Sequence, residues 1–346
     1  MARLPRLPRA LLPLLVALSL LAAACATATT PSPNTTTAPS PSPTTTPAPT
    51  PTATPAPSEA SYPVTIQAAN GPVRIEKRPE RIVSLSPTAT EILFAVGAGS
   101  QVAAVDQFSN YPPEAPVTDL SGYEPNVEAI AGFDPDLVVI SNDPGNLETS
   151  LEKLQIPVLL QPAAQRLDDT YAQIEQLGAA TGHAAEATQL VADMKAAIDR
   201  LVREAPRFPE PRSFYHELDP TYYSVTSKTF IGQIYRLVGL KNVADEATGG
   251  APDYPQLSAE FIVAADPDLI FLADTKCCGQ SAATVAERPG WDKITAVKTG
   301  AVIALDDDIA SRWGPRVVDF LRTVVDALSK LDGATSSLPT LVAVGS

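Results

Sequence analysis

The chain has 346 residues, 45 % of them hydrophobic and 18 % charged, with a formal charge of −14. That apolar content is enough to bury two lobes of ordinary size, and the acidic balance excludes a nucleic-acid binder, whose phosphate partner demands a basic face. The 35 prolines far exceed average usage, and many fall in one early block.

Residues 1–25 carry three arginines (Arg3, Arg6, Arg9), an apolar run and then Cys25, the layout of an export signal. The run is too short to argue for a permanent span. Ala22-Ala23-Ala24-Cys25 resembles a bacterial lipobox, although the usual leucine, Leu21, stands one place too early, and an ordinary secretory cleavage site is the alternative. Removing the leader takes its three arginines and moves the charge from −14 to −17. Residues 26–61 are almost wholly Ala, Thr, Pro and Ser and read as an extended linker, too poor in apolar side chains to offset ordering entropy. A lipid on Cys25 and this stalk would hold a globular domain near a membrane without burying it.

From residue 62 short apolar runs alternate with helical patterns. Arg81–Leu85, Gln101–Val105, Leu137–Ile140 and Pro157–Leu160 are continuous apolar runs of strand length, the mark of a parallel sheet covered on both faces. Thr88-Ala-Thr-Glu91 fits a capping box, which starts a helix at the carboxyl end of the first run and puts Ser86 and Thr88 on a candidate pocket rim. Val127–Ile140 is echoed by Ala259–Leu272 at an offset of 132 residues, with Glu128 and Glu260 in step and Asp-Pro-Asp leading into a buried strand in both. Tyr223–Gly239 is a looser echo of the opening strand and helix. Two such copies point to two similar α/β lobes, residues 62–166 and 206–335. Between them, residues 167–205 lack proline, have only Gly178 and Gly182 as breaks, and show helical spacing in their second part at Leu190, Met194, Ile198 and Leu201, which predicts a long connecting helix ending before Pro206. The fold class is therefore α/β, two parallel-sheet lobes joined by one long α-helix.

Cys277 and Cys278 are adjacent in a loop. In an exported protein they form a vicinal disulfide, stay free or bind a soft metal; no zinc spacing surrounds them, and no protein metal site is expected. Catalytic motifs are missing: no G-x-S-x-G, no H-E-x-x-H, and two scattered histidines, His183 and His216. An enzyme is not expected, and no cofactor.

RPERIVSLSPTATEILFAVG, DQFSNYPPEA, NVEAIAGFDPDLVVIS and Asp308-Ile-Ala-Ser-Arg-Trp-Gly-Pro-Arg316, in this order, resemble the substrate-binding proteins of ABC importers for iron–siderophore complexes and vitamin B12. The resemblance spans residues 62 to about 331. It implies a metal chelate held between the lobes as transported ligand, an extracytoplasmic location on the bacterial cell membrane, a monomer, and a glutamate on each lobe, Glu128 and Glu260, docking onto the permease dimer. It also places Phe108 and Tyr254 at aromatic corrin-contact positions and Asp308 and Arg312 at polar ones. Gly122 and Ser141 stand where further aromatics are expected, with Tyr123 beside the first. Tyr222, Tyr223 and Trp313 are further aromatic candidates, and Arg312 or Arg316 could instead pair with a siderophore's acidic groups. Corrinoid is slightly preferred over ferric siderophore; haem, or a ligand-sensing lipoprotein without transport, is the alternative.

Overall fold

The computed structural model describes residues 61–247 and 253–336, so the expected leader, Cys25 and residues 26–60 of the linker lie outside the described residues. An antiparallel hairpin of β1 (Val64–Ala68) and β2 (Gly71–Ile75) opens the domain. There follow β3 (Ile82–Leu85), α1 (Pro87–Ala95), β4 (Val102–Val105), α2 (Val127–Ala131), β5 (Leu137–Ile140), α3 (Leu147–Glu152) and β6 (Val158–Leu160). All pairings are parallel, in the order β4-β3-β5-β6. Every residue of β3 and β5 is buried, which is why they read as unbroken apolar runs. Ser84 is the polar exception, and its hydroxyl donates to the Ser86 carbonyl at 3.2 Å.

Two helices come next, α4 (Leu167–Thr181) and α5 (Ala184–Glu204). The second lobe comprises β7 (Ser213–Glu217), α6 (Phe230–Leu237), β8 (Lys241–Asn242), α7 (Ala259–Ala265), β9 (Leu269–Leu272), α8 (Thr275–Cys278), α9 (Ala282–Ala286), α10 (Thr295–Thr299), β10 (Val302–Ala304), α11 (Asp307–Ser311) and α12 (Val317–Ser336). Its parallel sheet runs β10-β9-β7-β8. In each lobe the first strand lies between the second and third, and the fourth flanks the third, so the two sheets share one topology.

The repeated Asp-Pro-Asp has one physical meaning in both lobes. Its first aspartate takes a left-handed conformation as the chain leaves the helix, Asp134 at φ 50° and Asp266 at φ 44°. Its second accepts a backbone N–H at the start of the lobe's first strand: Asp136 from Arg81 at 2.9 Å, Asp268 from Ser213 at 2.8 Å. The motif thus ends a helix and ties strand three to strand one.

The long connecting helix expected before Pro206 is α5, and the break at Gly178 and Gly182 separates it from α4: α4 ends at Gly182, at φ 81°, and the chain folds back so closely that a Cβ on Gly178 would meet that of Ala187 at 2.3 Å. Here α4 packs on β1 and α1, and α5 packs on α12. The last carbonyls of α4 accept from Tyr62, Arg78 and Gln101 side chains of the first lobe. Two sequence expectations are corrected. First, α1 is capped by Ser86, whose hydroxyl accepts from the Ala89 N–H with Pro87 at the first helical position; Thr88 and Glu91 form no capping box. Second, Tyr223 is not in the sheet; it makes an isolated bridge to Gln256, and the lobe's first strand is β7.

Each sheet has an apolar cluster of its own on one face. On the other, a shared core runs from Ile82 and Ile92 through Ile174, Val191 and Met194 to Phe214, Tyr235, Phe320 and Val324. The helices α4, α5 and α12 therefore weld the lobes along one side.

Candidate ligand-binding cleft

The carboxyl ends of the two parallel sheets face each other, and one buried carboxylate joins them. Glu91, on α1 of the first lobe, accepts from Arg312 Nη1 at 2.7 Å and from Arg316 Nε at 2.9 Å, both on the second lobe; its side chain is only 1 % exposed. Arg312 Nη2 also donates to the Phe108 carbonyl at 3.0 Å, to Asn110 Oδ1 at 2.9 Å and to Asp308 Oδ1 at 2.8 Å. Asn110 Nδ2 reaches Asp308 Oδ2 at 3.1 Å, and the Arg316 guanidinium lies 4.0 Å over the Tyr111 ring. Such bidentate, charge-assisted contacts across a crevice hold a defined closed arrangement.

In the first lobe the loop after β4 rests on a buried polar chain. The Thr90 hydroxyl lies 2.9 Å from both Ser84 Oγ and Ser109 Oγ, and Ser109 in turn donates to Asp106. Burial pushes the Asp106 carboxyl up from the usual range, against the pull of Ser109 and Arg312. A Cβ on Gly122 would stand 2.6 Å from the Leu85 carbonyl oxygen, so no aromatic fits there. Its neighbour Tyr123 is instead presented, 71 % exposed, edge-on to Phe108 (49 % exposed) at 5.9 Å between centroids. Ser141 is partly exposed beyond β5.

In the second lobe two extended segments lie side by side, Ser224 N–H donating to Pro255 O at 2.9 Å and Leu257 N–H to Tyr222 O at 3.0 Å. They present Tyr223 and Tyr254, 40 % and 49 % exposed. Partial burial and Asp253 raise the Tyr254 phenol, which stays neutral. Tyr222 turns away and stacks on buried Trp291 at 5.8 Å, with Arg288 over its ring.

Four aromatic rings, two on each lobe, are thus exposed, while several expected contacts are committed elsewhere. Ser86 and Thr88 are buried rather than on the rim, Ser86 as helix cap and Thr88 packed against Gly314. Trp313 donates to Gln173 Oε1 on α4 at 3.0 Å and packs on the shared core. Arg312 and Arg316 are held by Glu91 rather than open to an acidic ligand. Asp308 is partly exposed; Lys276 and Arg312 beside it hold its carboxyl below the usual range. Glu91, which the sequence reading assigned to a cap, was missed as the joint of the cleft.

Behind the second lobe's wall lies a buried carboxylate pair. Glu217, at the end of β7, takes a bidentate grip from Arg288 at 2.6 Å on each oxygen. Asp274, just past β9, is fully buried with neither oxygen accepting a hydrogen bond, and burial together with Glu217 raises its carboxyl to about 7. Cys277 and Cys278, on α8, form a disulfide. Among the described residues no cluster of three or more His, Cys, Asp or Glu is placed to hold a metal.

Glu128 and Glu260 occupy equivalent places, each the second residue of its short helix (α2 and α7) and exposed. Asn126 and Ser258 cap these helices at 3.0 and 3.1 Å.

A family model described as periplasmic binding protein matches residues 82–309, both lobes and the connector between them. The chain belongs to the periplasmic binding protein family. Among the relatives of this binding protein, an uncharacterized ABC transporter substrate-binding lipoprotein, YvrC, of Bacillus subtilis (strain 168) is 33 % identical over 275 residues, covering 77 % of this chain and 85 % of the relative. A cobalamin-binding protein of Halobacterium salinarum (strain ATCC 29341 / DSM 671 / R1) is 32 % identical over 272 residues, covering 75 % of this chain and 72 % of that one. The apo structure of the periplasmic heme-binding protein RhuT from Roseiflexus sp. RS-1 superposes with a TM-score of 0.64 at 26 % identity, covering 72 % of this chain and 97 % of that chain. The binding protein is thus a substrate-binding component of the ABC-importer type, with two α/β lobes.

Proposed function

We propose that this binding protein captures a flat metal chelate, a corrinoid in preference to a ferric siderophore or haem, between its lobes and delivers it to an ABC permease at the outer face of the cell membrane. The observation that carries the reading is the exposure of four aromatic rings, Phe108 and Tyr123 on one lobe and Tyr223 and Tyr254 on the other. A macrocycle with a broad apolar face and a few polar handles suits such walls. An acidic siderophore is disfavoured because Arg312 and Arg316, the cations expected to receive it, already share Glu91. The cobalamin-binding relative supports the same choice.

Asp308, the polar group left partly exposed among these contacts, is the handle for an amide or hydroxyl of the ligand. Glu128 and Glu260 dock on arginines of the permease dimer, whose symmetry the two equivalent lobes match. A lipid on Cys25 anchors the protein, which works as a monomer.

Thermal unfolding of the purified protein with cobalamin, several ferric siderophores, haem and free ferric ion tests the reading. A ligand at a hundredfold excess over its Kd adds about 2.7 kcal/mol of stability, so a micromolar binder is visible. A shift with cobalamin alone is the expected result. A shift with a siderophore or haem alone overturns the ligand preference, and no shift with any chelate overturns capture of this class.

A further inference from the structure

The vicinal disulfide is used by nothing described so far, yet its place is specific. Because β9 lies between β10 and β7, the helix α8 that follows it sits at the middle of the second lobe's cleft-facing end. No residue of α8 is buried, and both cysteines are exposed. The turn is held instead by Asp307, whose carboxylate accepts from the N–H groups of Thr275, Lys276 and Cys277, each at 2.9 Å. Between them Lys276 extends its ammonium to Asp306 at 2.8 Å and to Asp308 at 3.0 Å. Asp308 is the carboxylate that Asn110 of the first lobe grips. One covalent bond therefore constrains a turn whose adjoining side chain is a single carboxylate away from the opposite lobe.

We propose that Cys277–Cys278 is a thiol–disulfide exchange site whose state sets how firmly the first-lobe loop at Phe108–Asn110 is held to the second lobe. The reaction partner is a dithiol reductant. Its thiolate attacks one sulfur, the S–S bond breaks to a mixed disulfide, and its second thiol displaces the cysteine; the reductant leaves as a disulfide and both cysteines end protonated. Opening the ring frees the backbone that follows Lys276, and Gly279, already at φ 67°, adds no restraint. The Lys276 contacts to Asp306 and Asp308 then fluctuate, and with them the Asp308–Asn110 contact. The inference concerns how the lobes hold each other and does not depend on which chelate is bound.

The test combines alkylation and hydrogen exchange on the purified protein, with and without dithiothreitol, read peptide by peptide. Without reductant the peptide containing both cysteines should take up no alkyl group; with it, two, while β9 keeps its protection. Amides of residues 106–112 should exchange at least about tenfold faster in the reduced protein. The double variant Cys277→Ser/Cys278→Ser should show the fast pattern with or without dithiothreitol, and Lys276→Ala should show it in the oxidised state. Alkylation without reductant, identical exchange at 106–112 in both redox states, or a serine variant that still responds to dithiothreitol would each overturn the proposal; the comparison on the unaltered protein stands even if a variant fails to fold.

Discussion

Replacing Glu91 with glutamine keeps the shape of the side chain but removes the charge that two guanidiniums share. Arg312 retains the Asp308 carboxylate, whereas Arg316 loses its one carboxylate in hydrogen-bond contact and keeps the Tyr111 ring and the more distant charge of Asp306. Breaking a buried pair in this way is expected to cost about 3 kcal/mol, read from chemical denaturation of Glu91→Gln beside the unaltered protein. Phe108→Ala, by contrast, removes an exposed ring and should leave stability nearly unchanged while weakening chelate binding about tenfold in titration calorimetry. The contrast shows what was legible at this scale. Phe108 and Tyr254 were singled out by the family resemblance, and both turn out exposed. The role of Glu91 was not, because its partner Arg312 is 221 residues away in the chain and the local context offered a plausible cap instead. Gly122 has a similar lesson: its missing side chain is explained by the Leu85 carbonyl, which no local pattern announces.

At the scale of elements, the buried strands were readable as unbroken apolar runs and the Asp-Pro-Asp turns as a repeated phrase, although each turn's second aspartate bonds a strand 55 residues earlier in the chain. The break between α4 and α5 falls at the glycines the sequence marks, Gly178 and Gly182; what it did not announce is the fold-back, which shows in the close crossing with Ala187. The sheet ends carry a pH dependence of their own. Asp274 titrates at about 7 in the folded protein, above the ordinary aspartate value of 3.8. The folded state therefore holds a proton that the unfolded chain has lost between these two values, so the contribution to stability is full below about pH 4 and is gone above about pH 7. Stability should fall as pH rises through this window, and Asp274→Asn should flatten the curve in urea titrations taken from about pH 5 to about pH 8. A variant that keeps the full slope would point to another group.

Across the whole molecule, the matched positions of Glu128 and Glu260 lead to an experiment that separates capture from delivery. Reversing both charges should abolish uptake through the permease in reconstituted vesicles while leaving the Kd for the chelate unchanged, because both residues are exposed on their short helices and neither is among the groups proposed to hold the chelate. The shared core has a different consequence, one of timing. Phe320 and Val324 of α12 complete packing begun by Tyr235 and by α5, so the last described helix closes a core whose first strands were made hundreds of residues earlier. Contacts so distant along the chain form late and slowly. A chain lacking α12 leaves that core unsealed, with Tyr235 and the apolar side of α5 open to water.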